Sequence, residues 1–341
     1  MTDRQDYSLL GHNTFGIDVR CRRYIEFADD DEATETAQIL RTEKMPFIII
    51  GKGSNLLLTH DFDGIVVRSA IEGCDITTAT QTKATTATFK IGSGVEWDDF
   101  VQQSIDAGWY GAENLTAIPG DVGASAVQNI GAYGAEVCQI IDHIEAVCIA
   151  DSSRRSFTAD ECDYAYRQSN FKTIWHNQYL ITAVHYRLSS IFHPNISYGN
   201  LKDRLQNAGI SNPTPQQVRD IIRQVRDEKL PDYHREGNAG SFFKNPIVSR
   251  QTFDTLKAEF STIPHYLLAD GQVKIPAAWL IEQCGWKGRQ MGRAAVSEKH
   301  PLILVNKGGA EGSEIAALCK AVQEDVKSKF GILLSPEVNI V

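Results

Sequence analysis

The chain has 341 residues, 42% of them hydrophobic and 23% charged, with a formal net charge of −9. That length exceeds most single-core domains and predicts two or three compact units, while the acidic balance excludes a basic nucleic-acid-binding surface as its main feature. The seven cysteines contain no CxxC pair, so no disulfide framework, zinc site or other bound metal is expected. Residues 1–10 lack the basic start and apolar run of a leader and no later stretch reaches membrane-spanning length, so a cytoplasmic protein without a membrane partner is expected.

In chain order, residues 34–40 form a short helix before Pro46, and Phe47 to Ile50 are a continuous apolar run of the kind found in buried strands. Gly51-Lys52-Gly53-Ser54-Asn55 follows at once, then Leu56, Leu57 and Leu58, so this turn joins two strands and not the strand and helix of a Rossmann unit. Its consecutive unshielded N–H groups suit either a phosphate nest or an ordinary tight turn. Strand character returns at Ile65 to Val67 and, alternating, at Phe89 and Ile91, before Gly92 and Gly94 interrupt it. The threonine-rich residues 77–88 read as strand edges and a turn. Trp97, Val101, Ser104 and Ile105, with Phe100 beside them, lie on one face of a helix that Gly108 can end in a left-handed conformation.

Residues 112–136 are glycine-rich and low in charge. Ile118-Pro119-Gly120-Asp121-Val122-Gly123-Ala124-Ser125 and Gln128-Asn129-Ile130-Gly131-Ala132-Tyr133-Gly134 place small residues where a cofactor could approach the backbone, or where turns pack closely on a helix. Arg167, within Tyr166-Arg167-Gln168-Ser169, suits a bidentate grip on a carboxylate or a surface salt bridge. Residues 181–188 alternate as a strand closing the central unit. Thr214-Pro215-Gln216-Gln217 opens a helix with a capping box, its apolar face is Val218, Ile221, Ile222 and Val225, and Pro231 ends it. The polar residues 232–238 link to a further unit with helices at 276–284, capped by Gly285, and 313–330. Ser241 sits among small residues and aromatics without the GxSxG pattern of a hydrolase nucleophile.

Taken in order, IIGKGSNLLL, IPGDVGASAVQNIGAYG, YRQSNFK, GNAGSFFKNP and the terminal Pro336-Glu337-Val338 resemble the UDP-N-acetylenolpyruvoylglucosamine reductase family along nearly the whole chain. The resemblance implies an α+β fold of the vanillyl-alcohol-oxidase / p-cresol-methylhydroxylase FAD-binding type with a C-terminal substrate-binding domain. The implied domains are 1–67 together with 331–341, then 68–231, then 232–330. FAD would be non-covalent, since neither glycine loop carries a His or Cys for attachment, and would contact Gly51, Lys52, Gly53, Ser54, Asn55, Pro119, Gly120, Asp121, Gly123, Ala124, Asn129, Gly131, Ala132, Tyr133, Gly134 and Ile181.

The resemblance further implies that NADPH reduces FAD and that hydride then passes to the enolpyruvyl group of UDP-N-acetylglucosamine enolpyruvate, giving UDP-N-acetylmuramate for peptidoglycan. By residue match Ser241 donates the proton, Arg167 and Glu337 surround the substrate carboxylate, and Lys229, Asn245 and Tyr198 hold the nucleotide part. Ser197-Tyr198-Gly199-Asn200-Leu201 is similar to the tyrosine loop of the longer form, and a monomer is expected. Two positions depart from the family pattern: Asp121, where a small hydroxyl residue is common, and Asn339, where a basic residue is frequent. The alternatives are another flavin oxidoreductase of this fold, and a nucleotide-sugar-binding protein without catalysis.

Overall fold

Carboxylates near the chain's first helix move its start upstream of the apolar pattern. Helix α1 spans Asp30–Glu43 rather than 34–40, because the Asp29 side chain accepts the Glu32 amide and Asp30, Asp31 and Glu32 fill the first turn. There they complement the positive end of the helix dipole. The computed structural model describes residues 1–78 and 85–341, so the middle of the threonine-rich segment 77–88 lies outside the described residues. Two compact units result: Met1–Tyr7 with Cys21–Lys52 and Asp63–Arg226, and Ser8–Arg20 with Gly53–Phe62 and Asp227–Val341.

The first unit carries a four-stranded sheet of β1 (Thr2–Ser8), β2 (Arg20–Phe27), β5 (Phe62–Ser69) and β3 (Phe47–Ile50), in that order. β3 runs parallel to β5, with Phe47 opposite Ile65. As an edge strand its four residues are only partly buried; Phe47 and Ile49 pack on a core that Ala33, Ala37 and Leu40 of α1 share with Ile25, Ile65 and Val67. The same unit holds a five-stranded sheet ordered β11-β10-β12-β7-β6. Its strands are β6 (Cys74–Thr78), β7 (Thr86–Gly92), β10 (Ile141–Cys148), β11 (Arg154–Thr158) and β12 (Tyr179–Ser189).

One face of that sheet, with Phe89, Ile91, Ile144, Val184 and Tyr186, packs on α2 (Trp97–Asp106) and α3 (Val122–Gln128). Phe100 stacks on Tyr186 at 4.9 Å and Trp97 meets the same ring edge-on at 5.6 Å. Burying each such side chain contributes about 1.5–3 kcal/mol. α2 ends as its sequence predicts, with Gly108 at φ +78. A short hairpin of β8 (Gly131–Ala132) and β9 (Ala135–Glu136) leads out of α3. α4 (Leu201–Asn207) packs through Leu201 on Val218 and Ile222 of α5 (Pro215–Lys229).

In the second unit β13 (Gly237–Asn238), β19 (Leu304–Asn306), β18 (Ala294–Val296) and β17 (Gln290–Met291) form a sheet in that order. α7 (Ala277–Gln283) and α8 (Gly312–Phe330) match the predicted helices, and Gly285 takes φ +73 after α7. Phe260, at the end of α6 (Arg250–Glu259), meets Phe330 at 4.9 Å, and Trp279 meets Phe330 at 5.6 Å. A small sheet of β14 (Ile247–Val248), β16 (Val273–Lys274) and β15 (Tyr266–Leu267) completes the unit. Near its C-terminus β20 (Asn339–Ile340) pairs in parallel with β4 (Leu56–Leu57), the segment that follows the first glycine loop.

The capping box of α5 is present in full: Gln217 N–H donates to Thr214 Oγ1 at 3.2 Å and Thr214 N–H to Gln217 Oε1 at 2.9 Å. Thr214→Ala should therefore lower stability by about 1 kcal/mol, measured as a lower urea midpoint by circular dichroism.

Candidate active site

In the first unit Gly51 of the first glycine stretch meets the Asp121 and Ala124 side chains of the second. A Cβ placed on Gly51 would lie 3.2 Å from both Ala124 Cβ and Asp121 Oδ2, and one on Gly123 would lie 2.9 Å from Ser93 Cβ. The second stretch is held by strand-like bonds: Trp97 N–H to Gly120 O at 2.9 Å, Val122 N–H to Val95 O at 2.8 Å and Gly123 N–H to Ser93 O at 2.9 Å. Ser93 Oγ in turn donates to Ile181 O at 2.7 Å, which ties Ile181 to the same loop. Ahead of it Ala117 takes φ +58, and its N–H donates to Asp98 Oδ1 at 2.6 Å. Asp98 also receives Arg219 at 3.0 Å and pairs with Arg223, so α5 braces this turn.

Asp121 is 3% exposed, with Oδ2 3.5 Å from Arg68 Nη2, and Arg68 Nη1 lies 3.0 Å from Glu26 Oε2. Lys52 pairs with Glu96. Burial pushes the Asp121 carboxyl up to about 6, against the pull of Arg68 and Lys52. The extra negative charge noted in the sequence is thus paired with a cation and partly neutralised.

Beyond α3 the chain takes left-handed conformations at non-glycine residues: Asn129 at φ +45, Tyr133 at φ +47 and, in the YRQS segment, Arg167 at φ +56. Such positions cost energy and persist only where the surroundings fix them. Asn129 is fixed by its side chain, which donates to Glu136 Oε2 at 3.0 Å and Ala165 O at 2.9 Å and accepts from Cys138 N–H at 3.2 Å. Arg167 donates to Asn129 O at 3.2 Å and Gly131 O at 2.5 Å, so the expected carboxylate-binding arginine is braced on the second glycine stretch. Tyr198 is 50% exposed and its Cβ would be 3.2 Å from a Cβ on Gly134. The Asn114 carboxamide donates at 2.8 Å to the carbonyls of both Tyr133 and Asn195, joining the tyrosine loop to the glycine stretch.

In the second unit Gly53 has φ +69, and any Cβ there would be 2.0 Å from His12 O. Only glycine fits. Ser241 is exposed, between Gly240 at φ +68 and the fully buried Phe242 and Phe243. Phe242 N–H donates to Leu302 O and Phe242 O accepts Glu337 N–H, each at 2.8 Å. Phe243 bridges Pro336 and Lys244 N–H donates to Ser335 O at 2.9 Å, so the Ser241 turn and the Glu337 segment run side by side. Asn55 Nδ2 donates to Glu337 O at 3.2 Å, and Asn339 N–H to Asn55 O at 3.0 Å. Asn339 therefore joins this segment to Asn55 through its backbone.

Asn245 Oδ1 accepts Ala277 N–H at 2.9 Å at the start of α7, which leaves its NH₂ group as what it can offer a ligand. Lys229, the exposed last residue of α5, contributes with burial to lowering the pKa of His300. The structure brings together Gly51, Lys52, Asp121 and Ala124 on one side, Asn129, Gly131, Gly134, Arg167 and Tyr198 on another, and Asn55, Ser241 and Glu337 in the second unit.

Comparison with known proteins gives the family. Residues 22–155 match the FAD binding domain family and residues 232–341 the C-terminal domain family of UDP-N-acetylenolpyruvoylglucosamine reductase. The chain is 45% identical over 337 residues to the UDP-N-acetylenolpyruvoylglucosamine reductase of Bacteroides fragilis (strain YCH46), covering 99% of each chain. The chain belongs to the UDP-N-acetylenolpyruvoylglucosamine reductase family. It is also 42% identical over 341 residues to the reductase of that name from Porphyromonas gingivalis (strain ATCC 33277), covering 100% of both. The crystal structure of the reductase from Thermus caldophilus superposes with a TM-score of 0.69 at 20% identity, covering 99% of this chain and 98% of that one. Substrate-bound p-cresol methylhydroxylase superposes with a TM-score of 0.50 at 11% identity, covering 97% and 84%. The fold is thus the FAD-binding type expected from the sequence.

The first loop suits FAD: its glycines keep side chains off a turn whose consecutive backbone N–H groups can meet a diphosphate, and at Gly53 a Cβ has no room. For this reductase family member the sequence did not reveal Arg68, Glu26 or Asp98, because an isolated Arg or Asp in a strand or helix has no local signature of a buried partner.

Since folding raises the Asp121 pKa to about 6 from about 3.9 in an unfolded chain, its ionisation costs stability. The cost is absent below about pH 4 and complete above about pH 6. Asp121→Asn should be more stable than the parent at pH 7.5, by on the order of 1–3 kcal/mol, with the gap in thermal midpoint closing towards pH 4. Arg68→Gln should weaken FAD binding by about tenfold or more, read from flavin fluorescence released on dilution, and Asp121→Asn in the same chain should recover part of that loss.

Proposed function

We propose that this chain catalyses the NADPH-dependent reduction of UDP-N-acetylglucosamine enolpyruvate to UDP-N-acetylmuramate, in peptidoglycan precursor synthesis, with FAD held non-covalently. The observation that carries the reading is the pairing of the Ser241 turn with the Glu337 segment through the Phe242 carbonyl, in a chain 45% identical to a reductase of that name over 99% of its length. FAD, which the glycine stretches around Gly51 and Asp121 would hold, would supply the hydride chemistry between NADPH and the terminal alkene carbon of the substrate.

The remaining tasks belong to side chains. Hydride addition leaves an enolate conjugated with the substrate carboxylate, which needs electrostatic stabilisation and then a proton on the adjacent carbon. Ser241 delivers that proton from its exposed turn, whose position is set by two buried phenylalanines. A serine is a weak acid, adequate only against a strongly basic carbanion. Arg167 supplies a positive charge on a guanidinium braced by two loop carbonyls, and Glu337 acts beside Ser241.

Asn245, Lys229 and Tyr198 hold the nucleotide part, Asn245 through its NH₂ group and Tyr198 through its exposed ring. Residues 1–67 with 331–341 and residues 68–231 are read as FAD-binding subdomains, and 232–330 as the substrate domain. The parallel pairing of Asn339 and Ile340 with Leu56 and Leu57 supports the inclusion of the C-terminal segment in the first. Among the described residues no helix is long and apolar enough to cross a membrane, and we read the enzyme as a cytoplasmic monomer.

The test is a visible spectrum followed by anaerobic addition of NADPH and then of UDP-N-acetylglucosamine enolpyruvate. The flavin band should bleach with the first and recover with the second; bleaching without recovery would assign another acceptor. Ser241→Ala should leave bleaching nearly unchanged and slow recovery by about 10² to 10⁴-fold. Equal slowing of the two half-reactions would remove Ser241 from the proton-donor role.

A further inference from the structure

Arg167 sits at a turn position where a side chain is costly, and the groups that keep it there lie in the first unit. Ala165 and Gln168 form an antiparallel bridge: Ala165 N–H donates to Gln168 O at 3.1 Å and Gln168 N–H to Ala165 O at 2.9 Å. Tyr166 and Arg167 are therefore the tip of a tight turn. Arg167 occupies its third position with φ +56, a place that glycine or asparagine normally takes. An arginine persists there only where its surroundings hold the backbone.

Side chains lace this turn to the end of α3 and the residues after it. Ser169 Oγ donates to Val127 O at 2.7 Å, and the Asn129 side chain donates to Ala165 O at 2.9 Å. These hold the residues flanking the tip. Lys172 reaches the tip itself: its Nζ donates to Arg167 O at 3.1 Å and to Gln128 Oε1 at 2.7 Å. An ammonium has three donors on a rotatable stem, so it can join a main-chain and a side-chain oxygen that point in different directions.

The base of that stem is fixed. Lys172 ends the short helical turn Asn170–Lys172, and the buried Phe171 beside it meets Trp175 at 5.1 Å and Phe157 at 5.5 Å. Lys172 thus holds the Arg167 main chain against α3, while the Arg167 guanidinium is held by the carbonyls of Asn129 and Gly131 just beyond the same helix. Without the ammonium the turn loses the bond to its strained residue and can relax towards negative φ, which moves the guanidinium. Charge that stabilises an enolate works by being in place beforehand, and a displacement of about 1 Å can cost about 10²-fold in rate.

We propose that Lys172 is a positioning residue for the second half-reaction: by bridging Gln128 and the Arg167 carbonyl it holds the turn that presents Arg167 to the substrate carboxylate. The inference rests on the carboxylate role proposed above for Arg167.

The test compares flavin-loaded Lys172→Met, Lys172→Arg and Arg167→Met with the parent. In Lys172→Met, flavin content and bleaching by NADPH should match the parent, while recovery with UDP-N-acetylglucosamine enolpyruvate slows by roughly 10- to 100-fold. Its oxidised form should bind the enolpyruvyl sugar about tenfold more weakly, yet bind UDP-N-acetylglucosamine, which lacks the carboxylate, as the parent does. Lys172→Arg, which keeps the charge and the donors, should restore most of the lost rate. Equal slowing of bleaching and recovery in Lys172→Met, or equal weakening of both sugars, would leave Lys172 a general structural role and overturn the proposal. Recovery at the parental rate in Lys172→Met but not in Arg167→Met would overturn it alone. Parental recovery in Arg167→Met would remove the carboxylate role itself, and the inference with it.

Discussion

Close approach of one backbone segment to another, with no space for a side chain between them, is the constraint on which the rest of this structure depends. It recurs in each unit: Gly51 against Asp121 and Ala124, and Gly123 against Ser93, in the first; Gly53 against His12 and Gly237 against Phe15 in the second, where a Cβ would lie 2.0 and 2.2 Å from a carbonyl oxygen. In the second unit the opposing atoms belong to the main chain, so no rotamer change relieves these contacts, whereas in the first unit the nearest opposing atoms are side-chain carbons and a carboxylate oxygen. They fix loop positions without spending polar side chains, and so leave backbone N–H groups for a ligand.

That economy has an electrostatic consequence in the first unit. Packing Gly51 against the second glycine stretch buries Asp121, and a buried carboxylate needs a cation. Arg68 meets it at 3.5 Å while also serving Glu26 at 3.0 Å. The cofactor loop is thus tied to the β5 strand by charge as well as by shape, and burial still holds the Asp121 carboxyl up at about 6 against the pull of Arg68 and Lys52. Asp98 does similar work one turn earlier, satisfying the Ala117 amide while it holds Arg219 of α5.

Left-handed backbone at non-glycine residues occurs at several turns of the chain, and three of these lie where function is proposed. Asn129, Tyr133 and Arg167 take positive φ in or beside the second glycine stretch, and each is over-determined by bonds to its neighbours. In the second unit the arrangement differs: Ser241 gains its position from the buried rings that follow it and from a single shared carbonyl with Glu337. A rigid anchor next to an exposed hydroxyl gives a defined location and lets the hydroxyl itself rotate towards a substrate.

Much of this was legible in the sequence because it depends on local chemistry. The α5 capping box, the left-handed glycines after α2 and α7, the turn between two strands at Gly51 to Asn55 and the order of the five family motifs all follow from residues close together in the chain. The upstream start of α1 was missed although its carboxylates were visible, since apolar periodicity carries no information about the capping turn. What only the tertiary structure decided is which distant groups share a low-dielectric space: Arg68 with Asp121, Asp98 with Arg219, and the stacked His143 and His185. The reason is physical. A backbone conformation is set by its immediate neighbours, whereas the partner of a buried charge or imidazole is set by strand register and packing, and no short window of sequence contains both halves of such a pair.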